Sequence, residues 1–160
     1  MKIFVFSDSH GDCSKMEKVI QKYKMQIDAI IHLGDHDGDM ERIMCETQNI
    51  PVAVIAGNCD LFSRSKRQAL ARYGSKIFLL THGSGIVSEG SYGGALKLAK
   101  ENCADAVLFG HTHIPLCETR EGILLFNPGS ISRPRGGSTC SFGIIEINDN
   151  QINARCESIE

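Results

Sequence analysis

Five short apolar runs, each closed by a turn that carries a residue able to bind metal, constrain this chain more than any other feature. They cover residues 2–6, 28–33, 51–56, 76–80 and 105–109. Runs this short, rich in aliphatic side chains and bracketed by Gly or Pro, read as buried strands rather than helices. Between them, residues 14–25 place Met16, Val19, Ile20 and Tyr23 at helical spacing, and 40–47 and 95–102 also read as helices. Residues 61–75, with Arg64, Lys66, Arg67 and Arg72, read as an exposed loop with a short helix, and 83–94 as a Gly/Ser-rich loop beside the site. After residue 110 the pattern is β only, at 115–119, 122–126, 139–147 and 151–158. Turn residues at 120–122 and 148–150 predict antiparallel hairpins there. Alternating β and α followed by a β meander predicts a mixed sheet packed on a second sheet, with helices outside.

At 160 residues the chain is read as one domain, 1–160, with a full-sized core. Its 42% hydrophobic and 22% charged residues are those of a globular protein. A net charge of −2 argues against stable nucleic-acid binding and against a polybasic membrane tether. No run reaches transmembrane length, and the apolar opening meets Ser7-Asp8 too early for a signal peptide. The seven cysteines are odd in number and form no C-x-x-C pair, so a reduced, cytoplasmic protein is expected. Homo-oligomer formation is left open.

The ends of the five runs deliver Asp8 and His10, then Asp35, then Asn58, then His82, then His111 and His113. In open α/β sheets that edge is where ligands sit. If the backbone stays extended past Gly110, His111 and His113 face one side. Alone, that pair reads equally as surface or hydrogen-bonded histidines. Two carboxylates, four imidazoles and a carboxamide together suit manganese, iron, nickel, cobalt or zinc rather than calcium. The set is too open for structural zinc. Seven donors exceed what one ion takes from protein and suit two ions sharing a carboxylate. Gly34, Gly57, Gly83 and Gly110 stand beside these residues, where a missing Cβ permits close backbone approach.

Asp8-x-His10, Gly34-Asp35, Gly57-Asn58-x-Asp60, His82-Gly83 and Gly110-His111-Thr112-His113 resemble, in order, the motifs of the calcineurin-like metallophosphoesterases. The blocks are spaced about 25 residues apart, one βα unit each. The resemblance covers residues 1 to about 135. The short length, together with Asn127-Pro128-Gly129-Ser130 and Arg133-Pro134-Arg135, resembles the small prokaryotic YfcE-like phosphodiesterases. The resemblance implies a four-layer α/β/β/α sandwich of two mixed β-sheets flanked by helices. It implies two divalent transition-metal ions, manganese foremost, one held by Asp8, His10 and His113 and the other by Asn58, His82 and His111. Asp35 would bridge them. It further implies hydrolysis of a small or nucleotide-derived phosphodiester by a metal-bridged hydroxide, with Asn58 and His111 catalytic as well as metal-ligating. Arg133 and Arg135 would contact a substrate phosphate, or form a solvated loop. A phosphomonoesterase with the same site and a protein-binding scaffold on the same fold, as in the related retromer subunit, are the alternatives.

One position departs from the wider superfamily. Many members carry a histidine where this chain has Cys59, which leaves the general acid unassigned. Cys59 reads as a weak proton donor, a small hydrophobe in the site wall, or a nucleophile. Two other motifs fail on inspection. Asp35-x-Asp37-x-Asp39 with Glu46 imitates a calcium loop, but Met40 stands where the turn needs glycine. Asp37 and Asp39 are better read as helix-capping residues or as support behind the ligands. Gly85 to Gly90 has phosphate-loop spacing, yet Ser91-Tyr92 follow instead of a lysine.

Overall fold

The computed structural model describes residues 1–43, 45–47 and 49–159. In chain order it contains β1 (Lys2–Phe6), α1 (Ser14–Tyr23), β2 (Ala29–His32), α2 (Asp39–Arg42), β3 (Val52–Val54), β4 (Gln68–Tyr73), β5 (Lys76–Thr81), α3 (Gly93–Glu101), β6 (Ala106–Leu108), β7 (Leu116–Arg120), β8 (Ile123–Asn127), β9 (Ser141–Asn148) and β10 (Gln151–Ser158). The strands form two five-stranded sheets, ordered β10-β9-β1-β2-β3 and β4-β5-β6-β8-β7. Both are mixed. β1, β2 and β3 run parallel, as do β5, β6 and β8, while β9, β10, β4 and β7 attach through antiparallel pairings.

Side chains alternate across each strand, and this builds the layers. Ile3, Val5, Ala29 and Ile31 face Phe78, Leu80, Leu108 and Phe126 between the two sheets. Phe4, Phe6 and Ile30 point outward beneath Met16, Val19 and Ile20 of α1. Leu79, Val107 and Leu125 point outward beneath Ala95 and Ala99 of α3. The parallel strands are therefore buried on both faces, which is why they read as unbroken apolar runs. The result is the expected four layers, α/β/β/α. Among the described residues, no helix is long and apolar enough to cross a membrane.

Three local expectations need correction. Residues 68–73, expected within an exposed loop, form the edge strand β4, paired with β5 across Gly74. Its inward side chains, Ala69, Ala71 and Tyr73, join the inter-sheet core, while Gln68, Leu70 and Arg72 face solvent. Two alanines give too little hydrophobic signal to reveal that alternation beside four basic residues. The helix expected over 40–47 is a single turn, Asp39–Arg42. Met44, within that stretch, lies outside the described residues. Asp37 and Asp39 do not cap it, since Gly38 holds the cap position without a side-chain bond. The first helix ends at Tyr23, and Met25, expected to extend it, lies in a 3₁₀ turn and is exposed.

Candidate metal centre

The loops after β1 and β2 of one sheet and β6 of the other meet at the carboxyl ends of their strands and bring four charged or imidazole groups together. Single ligand atoms of Asp8, His10, Asp35 and His113 all lie within 4.8 Å of one another. His113 Nε2 is 3.1 Å from Asp8 Oδ1 and 3.2 Å from His10 Nε2. His10 Nε2 lies 3.7 Å from Asp35 Oδ2, and His82 Nε2 lies 3.4 Å from Asp35 Oδ1. The two oxygens of Asp35 thus face different histidines. His111 sets its ring edge-on to His82 at a centroid distance of 5.3 Å, and its backbone N–H donates to Asp8 Oδ2.

Backbone strain shapes the site. Asp8, His10, Asp35, His36, His111 and His113 all have positive φ, between 47° and 75°. Non-glycine residues rarely adopt this region, and such outliers concentrate at functional sites. The extended path expected through Gly110–His113 is therefore wrong. Left-handed turns at His111 and His113 send the first ring to His82 and the second to Asp8 and His10.

The donor chemistry tests whether metal fits. His82 Nδ1 faces the Leu33 carbonyl at 2.7 Å, and His113 Nδ1 faces the Arg133 carbonyl at 2.6 Å. A carbonyl only accepts, so each Nδ1 carries the proton and each Nε2 turns a lone pair inward. Those lone pairs meet carboxylate oxygens. Asp8 Oδ1 and His82 Nε2 are buried with no hydrogen-bond partner. Acceptors facing acceptors in a buried space are costly unless a cation lies between them. The arrangement fits metal.

Local electrostatics agree. Burial opposes ionisation of Asp35, but His82 and the Cys59 backbone N–H outweigh it and hold the carboxyl well below its ordinary range. Burial lowers the pKa of His10 and of His111, favouring the neutral rings that bind metal. Burial disfavours charge on His82, yet Asp35 and Asp8 raise its pKa, so in the metal-free chain the carboxylates favour a proton on Nε2, where a cation would otherwise lie.

Asn58, exposed, follows β3 and donates from Nδ2 toward Cys59 Sγ at 3.5 Å, beside Asp35. Cys59 donates to Asp35 twice, from the backbone to Oδ1 at 2.9 Å and from Sγ to Oδ2 at 3.3 Å. Burial and Asp35 push its thiol up to about 11. Arg133 is exposed, and its guanidinium is near enough to contribute to lowering the His10 pKa. Arg135 lines a cleft of about 280 Å³ together with His111, Thr112 and Val87. This cleft also takes in Ser88 and Glu89 of the Gly/Ser-rich loop.

Several supporting residues hold these loops, and of them Asp39 was expected from the sequence as support behind the ligands. Asp60 Oδ1 accepts from the backbone of His36 and Asp37, and its Oδ2 from Gly57 N, tying the β2 and β3 loops together. Asp39 Oδ2 accepts from Gly11 N. Ser130 and Ser132 donate to the Asp8 carbonyl, and Asn127 donates to the Gly110 carbonyl. Fully buried His32 takes the Gly34 N–H on Nδ1 and meets Ser9 Oγ at 3.1 Å. Asp60 and Ser130 lie inside motif blocks and were findable, whereas nothing around His32 marks it.

Fold and site together define a phosphoesterase-type metal centre. The calcineurin-like phosphoesterase superfamily domain matches residues 1–150, and the chain belongs to that superfamily. It is 32% identical over 155 residues to the probable metallophosphoesterase YsnB of Bacillus subtilis, covering 97% of this chain and 89% of that protein. It is 29% identical over 181 residues to the phosphodiesterase YfcE of Escherichia coli, covering 97% of each. The crystal structure of a predicted phosphoesterase from Streptococcus pneumoniae superposes with a TM-score of 0.82 at 30% identity, covering 98% of this chain and 88% of that one.

Proposed function

We propose that this chain is a metal-dependent phosphoester hydrolase, a phosphodiesterase acting on small or nucleotide-derived diesters with two divalent ions, manganese foremost. The observation that carries this reading is the buried convergence of unpartnered Asp8 Oδ1 and His82 Nε2 on His10, His113 and Asp35. Asp8, His10 and His113 would hold one ion, and Asn58, His82 and His111 the other. Asp35 would be shared, because its two oxygens face His10 and His82 separately. Bound ions would supply Lewis acidity toward the phosphoryl oxygens and acidify the attacking water. Asn58 then places its carboxamide on a phosphoryl oxygen, and His111 flanks the reacting group beside His82. Arg133 and Arg135 offer planar donor forks to a phosphate of the substrate. Residues 1–160 act as one domain on a small molecule, without membrane or nucleic acid. Completeness of the donor set favours catalysis over a scaffold role.

The test is a reconstitution of metal-stripped protein with manganese, nickel, cobalt, iron or zinc. Bis(p-nitrophenyl) phosphate and p-nitrophenyl phosphate are assayed side by side. About two ions per chain and faster diester cleavage, abolished by chelator, are expected. Faster monoester cleavage would replace the diesterase reading with a phosphatase, and no cleavage with any metal would leave the scaffold.

Cys59 carries its own expectation. A thiol held protonated and bonded to Asp35 orients that carboxylate and gives little help to a leaving group. Cys59→Ala should keep both ions and stay within about ten-fold of parent activity on activated aryl diesters, against the roughly 10²–10⁴-fold that a general acid contributes. Cys59→His should gain most on poor leaving groups. Inactive Cys59→Ala with full metal content would assign the thiol a catalytic role.

A further inference from the structure

The arginines of this chain divide by partner. Arg42, Arg120 and Arg155 are ion-paired with Asp39, Glu118 and the Glu146/Glu157 pair. Among the described residues, Arg64, Arg67, Arg72, Arg133 and Arg135 have no carboxylate within 4.0 Å. Three of them, Arg67, Arg133 and Arg135, each border a different histidine of the metal centre. The Arg133 carbonyl faces His113 Nδ1 at 2.6 Å, and Arg135 shares the cleft of about 280 Å³ with His111. Arg67 shares a hollow of about 150 Å³ with His82, Gln68 and Ser84. Its Nη1 is anchored on the Gly57 carbonyl at 3.0 Å, which fixes the fork beside Asn58 and leaves its other donors open. Glu89, the one carboxylate lining the Arg135 cleft, is exposed and outside ion-pair distance.

This is more positive charge than a simple diester needs. A diester carries one negative charge, and two divalent ions on Asp8 and Asp35 would already exceed it. Guanidinium forks match phosphate oxygens two at a time. Two hollows, each pairing a centre histidine with an unpartnered arginine, give the two arms of a diester separate places to end.

Resting on the diesterase reading above, we propose that the preferred substrates are phosphodiesters with a further phosphate on an ester arm, received by Arg67 or Arg135. Arg67 is thereby a specificity-determining residue on the side of His82, and Arg135 on the side of His111.

Two esters with one scissile bond and one leaving group test this. They are the p-nitrophenyl ester of thymidine 5′-monophosphate and the same ester carrying a 3′-phosphate. With manganese-loaded protein, the 3′-phosphate should lower KM about ten-fold, the worth of one charge-assisted contact. The KM ratio should fall to near one in the double variant Arg67→Gln/Arg135→Gln, and the single variants identify the hollow used. Arg72→Gln, at the far end of β4, should leave the ratio unchanged. Equal KM values in the parent, or an undiminished ratio in the double variant, would overturn the proposal. If neither ester is cleaved, the diesterase reading fails instead. Calorimetric binding of thymidine 3′,5′-bisphosphate against thymidine 5′-monophosphate, with the same variants, then decides the anion preference alone.

Discussion

Asp35→Asn should lose both bound ions and at least about 10³-fold in diester hydrolysis while the chain stays folded. Removing a single preorganised donor from an active site costs about 10²–10³-fold, and Asp35 serves two sites. Its Oδ2 faces His10 and its Oδ1 faces His82. The amide keeps the volume and can still accept the Cys59 backbone N–H, now made to Oδ1 at 2.9 Å. What it removes is the negative charge that would offset both cations. Metal content after desalting and the melting temperature with and without added manganese are the measurements. Ions that bind only the folded chain raise its melting temperature, so parent protein should gain from manganese and Asp35→Asn should gain much less. His10→Ala and His82→Ala should each weaken one ion, and not the same one. Two full equivalents of metal in Asp35→Asn would refute the shared carboxylate.

The sequence exposed this centre because burial and chemistry both left marks on it. Strands buried on two faces read as plain apolar runs, and a run that ends in Asp, Asn or His beside Gly stands out against them. The hairpins were legible for a similar reason. Glu121-Gly122 and Asp149-Asn150 supply the consecutive positive φ values that tight turns demand. The route by which His111 and His113 arrive was not legible. Period-two reasoning predicts side chains on one face, whereas left-handed turns separate the rings. Those turns are held from elsewhere, through Asn127 on the Gly110 carbonyl and the Thr112 hydroxyl and through Asp8 Oδ2, which accepts the His111 N–H. The bond between Asp8 and His111 spans 103 residues, and no local pattern encodes it. Strand β4 escaped because an edge strand needs to bury only one face, and here that face is mostly alanine.

Gly57 shows how closely the site depends on backbone contact, and Gly57→Ala should be among the most damaging small substitutions in the chain. A Cβ there would overlap Asp35 Oδ1 and the Asp35 backbone nitrogen, and would come within 3.0 Å of Asp35 Cγ. From the other side, a Cβ on Gly34 would meet Gly57 Cα at 2.8 Å, so the two loops touch backbone to backbone. Neither loop has room to retreat. Asp60 holds Gly57 N at 2.8 Å and also grips His36 and Asp37, while Arg67 holds the Gly57 carbonyl. The methyl group must therefore displace the Asp35 carboxylate or break the Asp60 clamp. Overpacking of this kind costs about 1–3 kcal/mol, and a misplacement near 1 Å at a reacting centre costs about 10²-fold in rate. Gly57→Ala should thus lose stability, metal and activity together. Gly38→Ala is the control, since a Cβ there meets nothing within 4 Å and its φ of −62° suits any residue. That variant should stay within about 0.5 kcal/mol of the parent in denaturant unfolding. Full metal occupancy and parental activity in Gly57→Ala would show that the loops yield without moving Asp35, and the backbone-contact account of the centre would fall.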